Sequence, residues 1–284
     1  MDLGLRSDDR ILILGASGWF GQELLDILPD QSTVMAVAGP SSGSVPGFDE
    51  LAGFRPTIVA NFAFLTKERL DSDGEGEFRR TNESLIERFS HCLDLASVRA
   101  GITVSSGAAV TQKSHPYGEM KAREEESALA QARGDQGVVV IRAYSVSGPR
   151  VRRPSDYAFS DLILQARTGA MTIASPGPVR RRYCAVVDAL TVALRSATAG
   201  RTGLFDTGGP LVEMGGLAEA IRTEVNPDAT ISRVGGEDGP KGSGSDYFSD
   251  DRSWTDWCAE SEVIPMDLQA QIRYTDTNLP PAPA

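Results

Sequence analysis

The stretch RILILGASGWFG, residues 10–21, decides the fold of this chain. It begins with the apolar run Arg10–Leu14, which has the length and character of a buried parallel strand. Gly15, Gly18 and Gly21 follow at intervals of three residues, and Trp19–Leu28 has the composition of a helix. A strand, a glycine turn and a helix in this order predict a phosphate site, because glycine lets the backbone approach the anion and the helix N-terminus presents free N–H groups to it.

Strand-like and helix-like segments continue to alternate through the first half of the chain. Apolar runs and helical periodicity predict strands at Thr33–Ala38, Thr57–Ala63, Ile102–Ser105 and Val138–Ala143, and helices at Thr81–Ala96 and Tyr117–Arg133. Apolar strands that alternate with helices are typical of a parallel sheet covered on both faces. We therefore expect an α/β protein built on a Rossmann-type, doubly wound parallel sheet.

The pattern loosens after residue 147, which predicts a second, smaller unit. We expect an NAD(P)-binding domain at residues 1–147, to which residues 183–208 return as a helix and the strand Gly203–Asp206. Residues 148–182 and 209–277 then form a small C-terminal substrate-binding lobe, with Trp254 and Trp257 in its core or at its rim. We expect a mobile loop at residues 235–244 and a disordered tail at residues 278–284.

The composition disfavours several classes of function. The 284 residues carry a formal net charge of −11, which argues against nucleic acid as the main partner. No apolar run approaches the roughly 20 residues of a membrane span, and no signal peptide is visible at the N-terminus. The three cysteines form no paired motif, and only two histidines, His91 and His115, are present. We expect a cytoplasmic protein without a metal site, in which both histidines are structural or face solvent.

A second motif places Tyr117 and Lys121 four residues apart at the start of a predicted helix. Residues at this spacing share one helix face, so both side chains can point into one cleft. An ammonium near a phenol lowers the tyrosine pKa, which suits tyrosine for proton transfer near neutral pH. The spacing alone is common by chance. Here it follows a strand that ends in Ser105 and Ser106, at the edge of the sheet where ligands bind, and this position favours a catalytic pair.

Together the GxxGxxG loop and the YxxxK motif resemble the extended branch of the short-chain dehydrogenase/reductase superfamily, the nucleotide-sugar epimerase/dehydratase family. Collinear segments extend the resemblance over residues 10–210: Asn61–Phe64, Thr81–Asn82, Thr103–Ser106, Val140–Arg142, Gly148–Pro149, Arg181–Tyr183 and Val187–Asp188. The resemblance implies that Tyr117 exchanges the proton and that Lys121 holds the nicotinamide ribose. It also implies that Ser106, with Ser105 as second choice, orients the substrate oxygen.

The resemblance places NAD or NADP against the glycine loop and the neighbouring strand ends. The implied contacts are Gly15, Ser17, Gly18, Trp19, Phe20, Gly21, Ser41, Ser42, Phe62, Ala63, Phe64, Tyr117 and Lys121. No acidic residue follows the second strand to bind the ribose of NAD, and no arginine follows it to attract a 2′-phosphate, so both dinucleotides stay open, with NADP slightly favoured. The short segment Gly43–Pro56 predicts that the third strand of the family is vestigial.

Two arginine clusters, at residues 150–153 and 180–182, stand out in this acidic chain. Guanidinium groups bind phosphate oxygens bidentately, and both clusters fall where this family builds its substrate lobe. The resemblance implies a nucleotide sugar as substrate, with Arg181, Arg182 and Arg153 as candidate contacts. Arg181 matches the family's phosphate-contacting arginine best, and a solvated basic surface is the alternative.

The resemblance leaves the reaction open between sugar epimerisation and reduction of a 4-keto sugar. Dehydratases of this family carry acidic residues directly after the catalytic serine or threonine, where this chain has Gly107 and Ala108. Reduction of a small carbonyl compound without a nucleotide, and a non-catalytic NAD(P)-binding sensor, are the alternatives. The family also implies a homodimer, by analogy alone.

Overall fold

The computed structural model of the chain describes residues 2–30, 32–39, 46–235 and 246–281. Its strands are β1 (Arg10–Leu14), β2 (Thr33–Val37), β3 (Ile58–Asn61), β4 (Ala100–Ser106), β5 (Gly137–Ala143), β6 (Ser145–Ser147), β7 (Ala170–Ile173), β8 (Arg180–Ala185), β9 (Gly203–Asp206), β10 (Leu211–Glu213) and β11 (Thr230–Arg233). Six of them form one parallel sheet in the order β2-β1-β3-β4-β5-β9. This confirms the predicted parallel sheet, including the return of β9 to its edge.

Helices connect the strands and cover both faces of the sheet. They are α1 (Trp19–Ile27), α2 (Phe48–Gly53), α3 (Lys67–Asp73), α4 (Glu75–Leu93), α5 (Ala108–Thr111), α6 (Pro116–Ala130), α7 (Ala158–Arg167), α8 (Val186–Thr198), α9 (Met214–Val225), α10 (Arg252–Glu260) and α11 (Leu268–Asn278). Leu24 of α1 and Leu190 of α8 belong to the apolar cluster on one face, and Phe89 of α4 and Ala128 of α6 to the cluster on the other. The sheet is therefore doubly wound, as predicted.

The sheet ends at β2 on one side. Within the described residues no strand pairs with the free edge of β2. Helix α2 occupies the connection from β2 to β3 instead, and its Leu51 is buried in the same cluster as Phe89. This agrees with the prediction of a vestigial third strand, because the connection is too short to add a strand and a covering helix.

A smaller lobe packs around its own apolar cluster. Strands β10, β8 and β6 form one sheet, and β11 pairs in parallel with β7. Phe159 of α7, Leu217 of α9 and Ile272 of α11 are buried together against them. Across the described residues, no helix combines the length and the apolarity needed to cross a bilayer.

Two details of the predicted division are wrong. Helix α10, assigned to the small lobe, packs on the main sheet, where the rings of Trp254 and Trp257 lie 5.6 and 5.3 Å from that of Phe205 on β9. The reason is that β9 is an edge strand whose apolar face needs a cover. The predicted start of the tail at residue 278 is also wrong, because α11 runs to Asn278 and Leu279 is buried in the lobe. Residues 236–244 of the predicted loop and residues 282–284 lie outside the described residues; the remaining domain bounds stay a prediction.

The turn after β1 depends on glycine. Gly15 has a φ of 79°, a backbone conformation that favours glycine. A Cβ on Gly15 would lie 2.5 Å from both the amide nitrogen of Ala63 and the carbonyl carbon of Phe62. The glycine loop and the segment after β3 therefore approach each other backbone to backbone, which places both at one edge of the sheet.

We expect Gly15→Ala to lower the free energy of unfolding by about 2–5 kcal/mol, because the methyl group adds a backbone clash to the strain of a positive φ. Gly74→Ala is the matched control, since Gly74 has a φ of 81° but no atom within 4 Å of its Cβ position. It should cost only the backbone strain, about 1–3 kcal/mol. Urea unfolding measures both, and equal losses would contradict a tight contact between Gly15 and Ala63.

Candidate active site

The glycine loop is tied to the end of the neighbouring strand. The N–H groups of Gly15 and Ala16 both donate to the carbonyl of Val37, at 2.9 Å. Gly21 packs against the same turn, since a Cβ there would lie 2.6 Å from the carbonyl oxygen of Gly15. Helix α1 begins after Gly18 without a side-chain cap, so the N–H groups of its first turn are available to an anion. This loop fits the pyrophosphate of a dinucleotide.

A pocket opens beside the loop, at the carboxyl ends of β1, β2 and β3. It is lined by Leu14, Gly15, Val37, Ala38, Asn61, Ala63, Leu85 and Arg88. Apolar walls at a strand edge, with few polar groups, suit the adenosine half of a dinucleotide. Ser41 and Ser42, two of the predicted cofactor contacts, lie outside the described residues.

Arg88 is a pocket residue that the sequence did not predict. Arg88 lies on helix α4 and reaches the carboxyl ends of β1 and β2, although it is far from them in sequence. Its Nη1 donates to the carbonyl of Pro46 at 3.5 Å. Its side chain is half-buried, and none of the described carboxylates forms an ion pair with it. No motif marks this arginine, because its position depends on how α4 packs on the sheet.

Other predicted cofactor contacts surround the loop. Ser17 accepts a hydrogen bond from the backbone after β2 at 3.3 Å, and the ring of Phe20 lies 6.0 Å from that of Phe62. Trp19 makes an edge contact with Tyr157 of the small lobe, with ring centroids 5.2 Å apart. The start of α1 therefore contacts both units of the protein.

Two serines end β4, and their surroundings differ. Ser105 is buried and donates to Glu125 at 2.6 Å, and Glu125 also accepts two hydrogen bonds from Arg142. Ser106 is half-buried, and its hydroxyl lies beside the phenol of Tyr117, whose pKa it acts to lower. The geometry therefore favours Ser106 over Ser105 as the group that orients a substrate oxygen, while Ser105 holds α6 against the sheet.

The start of α6 positions Tyr117. His115 is the N-cap residue, and its Nδ1 accepts a hydrogen bond from the Tyr117 N–H at 3.2 Å, while Pro116 occupies the first turn. The ring of Phe64 makes an edge contact with that of Tyr117 at 6.1 Å. His115 thus has the structural role expected of it, and His91 is exposed at the surface, beside Phe48.

Lys121 lies on the same helix and is almost completely enclosed. Its Nζ donates to the carbonyl of Val104 and to Oε2 of Glu124, both at 2.8 Å, and lies 3.5 Å from the centre of the Phe64 ring. Glu124 is buried as well and accepts a hydrogen bond from Thr103 at 2.8 Å. Glu124 was not among the predicted site residues, although its spacing from Lys121 places both on one helix face.

The predicted effect of Lys121 on Tyr117 is wrong for this structure. Burial above all raises the pKa of Tyr117 to about 12, with smaller contributions from the carboxylates of Glu124 and Glu68, while the nearby Ser106 hydroxyl acts to lower it. The physical reason is that Lys121 forms a buried ion pair with Glu124, so the phenol faces little net positive charge.

A second phenol, that of Tyr247, reaches the same serine. The Tyr247 phenol lies beside the Ser106 hydroxyl, and its ring lies 5.0 Å from that of Tyr144. A Cβ on Gly107 would lie 2.6 Å from the Tyr247 hydroxyl, so the two rings require glycine at the position where dehydratases of the resembling family carry an acid. The Arg181 guanidinium lies 5.9 Å from the Tyr247 ring. No sequence pattern pointed to Tyr247.

The three predicted substrate arginines have different surroundings. Arg181 borders the Ser106–Tyr117 site through Tyr247. Arg182 donates to the carbonyl of Gly209 at 2.9 Å and pairs with Asp251 at 3.3 Å, so it holds the lobe together. Arg153 is exposed at the surface, 3.7 Å from a carboxylate oxygen of Asp156. Of the three, Arg181 is the best placed to meet a substrate anion.

Known proteins resemble this chain in part of its sequence and in nearly all of its fold. No profile of a known protein family matches it. A segment of 100 residues, 34% of this chain, is 31% identical to UDP-glucuronic acid decarboxylase 6 of Arabidopsis thaliana and spans 28% of that protein. The UDP-N-acetylglucosamine 4-epimerase of Methanobrevibacter ruminantium, solved with UDP-N-acetylmuramic acid, has a TM-score of 0.74 at 17% identity, with 96% of this chain and 99% of that structure covered. The UDP-glucose 4-epimerase of Thermus thermophilus, solved with NAD, has a TM-score of 0.69 at 18% identity, with 95% and 98% covered.

These likenesses confirm the predicted resemblance at the level of the fold. Over nearly its whole length the chain shares the fold of these two epimerases. The sequence match is much shorter and covers only 28% of the decarboxylase. Activity, cofactor and substrate therefore do not follow from these likenesses.

Ser105→Ala should lower the free energy of unfolding by about 1–3 kcal/mol, because it removes the buried hydrogen bond that Ser105 donates to the carboxylate of Glu125. Ser106→Ala, one residue further along the same strand, changes a half-buried hydroxyl and should cost less than about 1 kcal/mol. Chemical denaturation of the two variants measures the difference. A larger cost for Ser106→Ala would contradict the structural role of Ser105.

Proposed function

We propose that this protein is an enzyme that transfers hydride between NAD(P) and a carbinol or ketone carbon of a nucleotide-activated sugar. The observation that carries the proposal is the convergence of Ser106, Tyr117 and Lys121 at the carboxyl edge of the sheet, beside the glycine loop. A hydroxyl, a phenol and an ammonium at that edge are the groups that the exchange of an alcohol and a carbonyl requires.

The chain's own residues orient the substrate and move the proton. Ser106 holds the reacting oxygen by hydrogen bonding, and Tyr117 donates a proton to that oxygen or removes one from it. Lys121 holds the nicotinamide ribose, a contact that requires the covering ring of Phe64 to turn aside. The dinucleotide, when bound, supplies or takes up the hydride.

Two reactions use this site, and NADP-dependent reduction of a 4-keto sugar is the better supported. None of the described residues that line the adenosine pocket is acidic, and Arg88 is the cation among them. An arginine near this strand end suits the 2′-phosphate of NADP. A dinucleotide that binds in its reduced form and is released in its oxidised form is the cofactor of a reductase, so NADP favours reduction. Epimerisation with retained NAD is the second candidate, favoured by the fold shared with the Thermus thermophilus epimerase.

A nucleotide sugar is the proposed substrate. Its diphosphate offers paired oxygens to a guanidinium, and Arg181 stands beside Tyr247 at the edge of the Ser106 site. The Methanobrevibacter ruminantium epimerase, which shares this fold, was solved with a UDP-linked sugar acid. We also propose a homodimer, by analogy with the resembling family, and a sedimenting species of 30.3 kDa alone would contradict it. The cytoplasmic location stays a prediction.

Tyr117→Phe should reduce turnover of a UDP-linked 4-keto hexose with NADPH by about 10²–10⁴-fold, because it removes the transferred proton and keeps the ring. The loss of NADPH absorbance measures turnover, and the quenching of protein fluorescence by NADPH measures binding, which should change little. Unchanged turnover would contradict a catalytic Tyr117. If neither NADH nor NADPH binds the wild-type protein, the interpretation of the glycine loop is wrong.

Arg88→Gln should weaken NADPH binding by about 10–100-fold and NADH binding by less than about threefold, because only NADPH carries the 2′-phosphate. Arg80→Gln is the matched control on the same helix, since Arg80 forms an exposed ion pair with Glu77. It should leave both affinities unchanged. Equal losses for the two dinucleotides with Arg88→Gln would mean that Arg88 contacts the adenosine that both share.

A further inference from the structure

A buried carboxylate stands beside the lysine that the proposed reaction depends on. Oε2 of Glu124 lies 2.8 Å from Nζ of Lys121, and only 2% and 5% of the two residues is exposed. The other oxygen, Oε1, accepts hydrogen bonds from Thr103 at 2.8 Å and from Asn61 at 3.2 Å. The carboxylate is therefore held from two strands, and it cannot turn away from the lysine without losing these bonds.

With one titratable proton shared between its two groups, the Lys121–Glu124 pair carries no net charge, whichever group holds that proton. Burial lowers the pKa of Lys121 and raises that of Glu124, which favours the neutral form of each. If both are ionised, the charges cancel; if the proton passes from lysine to carboxylate, both groups are neutral. In neither case does α6 present a net positive charge to the phenol of Tyr117.

Among the described residues, no other group that faces the phenol replaces the missing positive charge. From α3 comes the carboxylate of Glu68, which raises the Tyr117 pKa. The strand end contributes the neutral Ser106 hydroxyl. The remaining groups nearby are the phenols of Tyr157 and Tyr247, the Arg153 guanidinium, which acts on Glu68, and the Arg181 guanidinium, which acts on Tyr247.

We propose that Glu124 is a positioning residue that holds Lys121 and neutralises its charge, so that Tyr117 stays protonated and serves as the proton donor of a carbonyl reduction. The inference rests on the proposed hydride-transfer function and adds the protonation state in which Tyr117 meets the substrate. In the step, the carbonyl oxygen would take the phenolic proton, while a bound reduced dinucleotide would supply hydride to the carbonyl carbon. The products would be the alcohol and the oxidised dinucleotide, and the tyrosinate would regain its proton from solvent.

The arrangement differs from a lysine that activates tyrosine as a base. A lone ammonium near the phenol would favour the tyrosinate, which removes a proton from an alcohol and so begins an oxidation. With Glu124 in place, Lys121 keeps its position and its hydrogen-bonding capacity for a ribose, while its charge is cancelled. Glu124 thus leaves Lys121 its role in binding a ribose and removes its effect on the protonation of Tyr117.

The test is the titration of Tyr117 itself, without cofactor or substrate. Protein labelled with [ζ-¹³C]tyrosine gives one resonance for each of the six tyrosines, and Tyr117→Phe assigns the one of interest. In the wild type this resonance should remain that of a phenol to about pH 11, while circular dichroism reports that the fold is retained. In Glu124→Gln it should titrate about one pH unit lower or more, because the amide keeps the hydrogen bond to Lys121 and removes the opposing charge.

Two further variants make the result decisive. Glu119→Gln is the matched control, since Glu119 lies on the same helix in an exposed pair with Arg79, and it should not move the titration. The double variant Lys121→Met with Glu124→Gln removes the whole pair and should return Tyr117 to wild-type behaviour, which a merely structural loss would not do. It also serves if Glu124→Gln alone fails to fold, because replacing both members of a buried pair is tolerated better than removing one.

The outcomes separate this inference from the proposed function. An unchanged titration in Glu124→Gln would overturn the role of Glu124, because it means that Lys121 does not act on the phenol. A Tyr117 pKa that rises by about one unit in the double variant would also overturn it, because it means that Lys121 already acts on the phenol unopposed in the wild type. Binding of NADPH to the wild type is measured separately. Its absence would contradict the proposed function and leave the titration result as it stands.

Discussion

The burial of the parallel sheet on both faces is the constraint on which the rest of this structure depends. Helices α1 and α8 cover one face and α4 and α6 the other, so the strands between them consist almost entirely of apolar residues. Backbone groups within such a sheet pair with each other, and polar side chains meet water or a ligand only where the strands end. The glycine loop, Ser106 and the adenosine pocket therefore share the carboxyl edge of one sheet.

A few polar side chains lie inside the sheet layer, and they support the site by hydrogen bonding to residues of α6. Asn61 on β3 and Thr103 on β4 are buried and hydrogen-bonded to each other and to Glu124 of α6. Next to them, Glu125 binds Ser105 and Arg142. Two successive glutamates thus anchor α6, each neutralising one buried cation, and a buried charge without such a partner would destabilise the fold.

The small lobe completes the site from the other side of the cleft. It brings Tyr157 against Trp19 at the glycine loop, and Arg181 beside Tyr247 at the Ser106 hydroxyl. Gly107 leaves room for the rings of Tyr144 and Tyr247, so its small size is required by packing. Among the described residues, the groups that contact the Ser106 hydroxyl are consequently aromatic and hydroxylic, which suits the orientation of a polar sugar carbon.

The sequence by itself determined the fold class, the order of strands and helices and the positions of the glycine loop, Ser106, Tyr117 and Lys121. These follow from local patterns: apolar runs, helical periodicity, glycine where the backbone must turn, and the spacing of two residues on one helix face. Tertiary structure alone decided which groups surround Tyr117 and line the adenosine pocket, because Glu68 and Tyr247 reach the phenol, and Arg88 reaches the pocket, from elsewhere in the chain. It also decided that α10 covers the edge strand β9 and that Ser105 is bound to Glu125. Pairing and burial set the electrostatics of a site, and neither can be read from the spacing of residues along a chain.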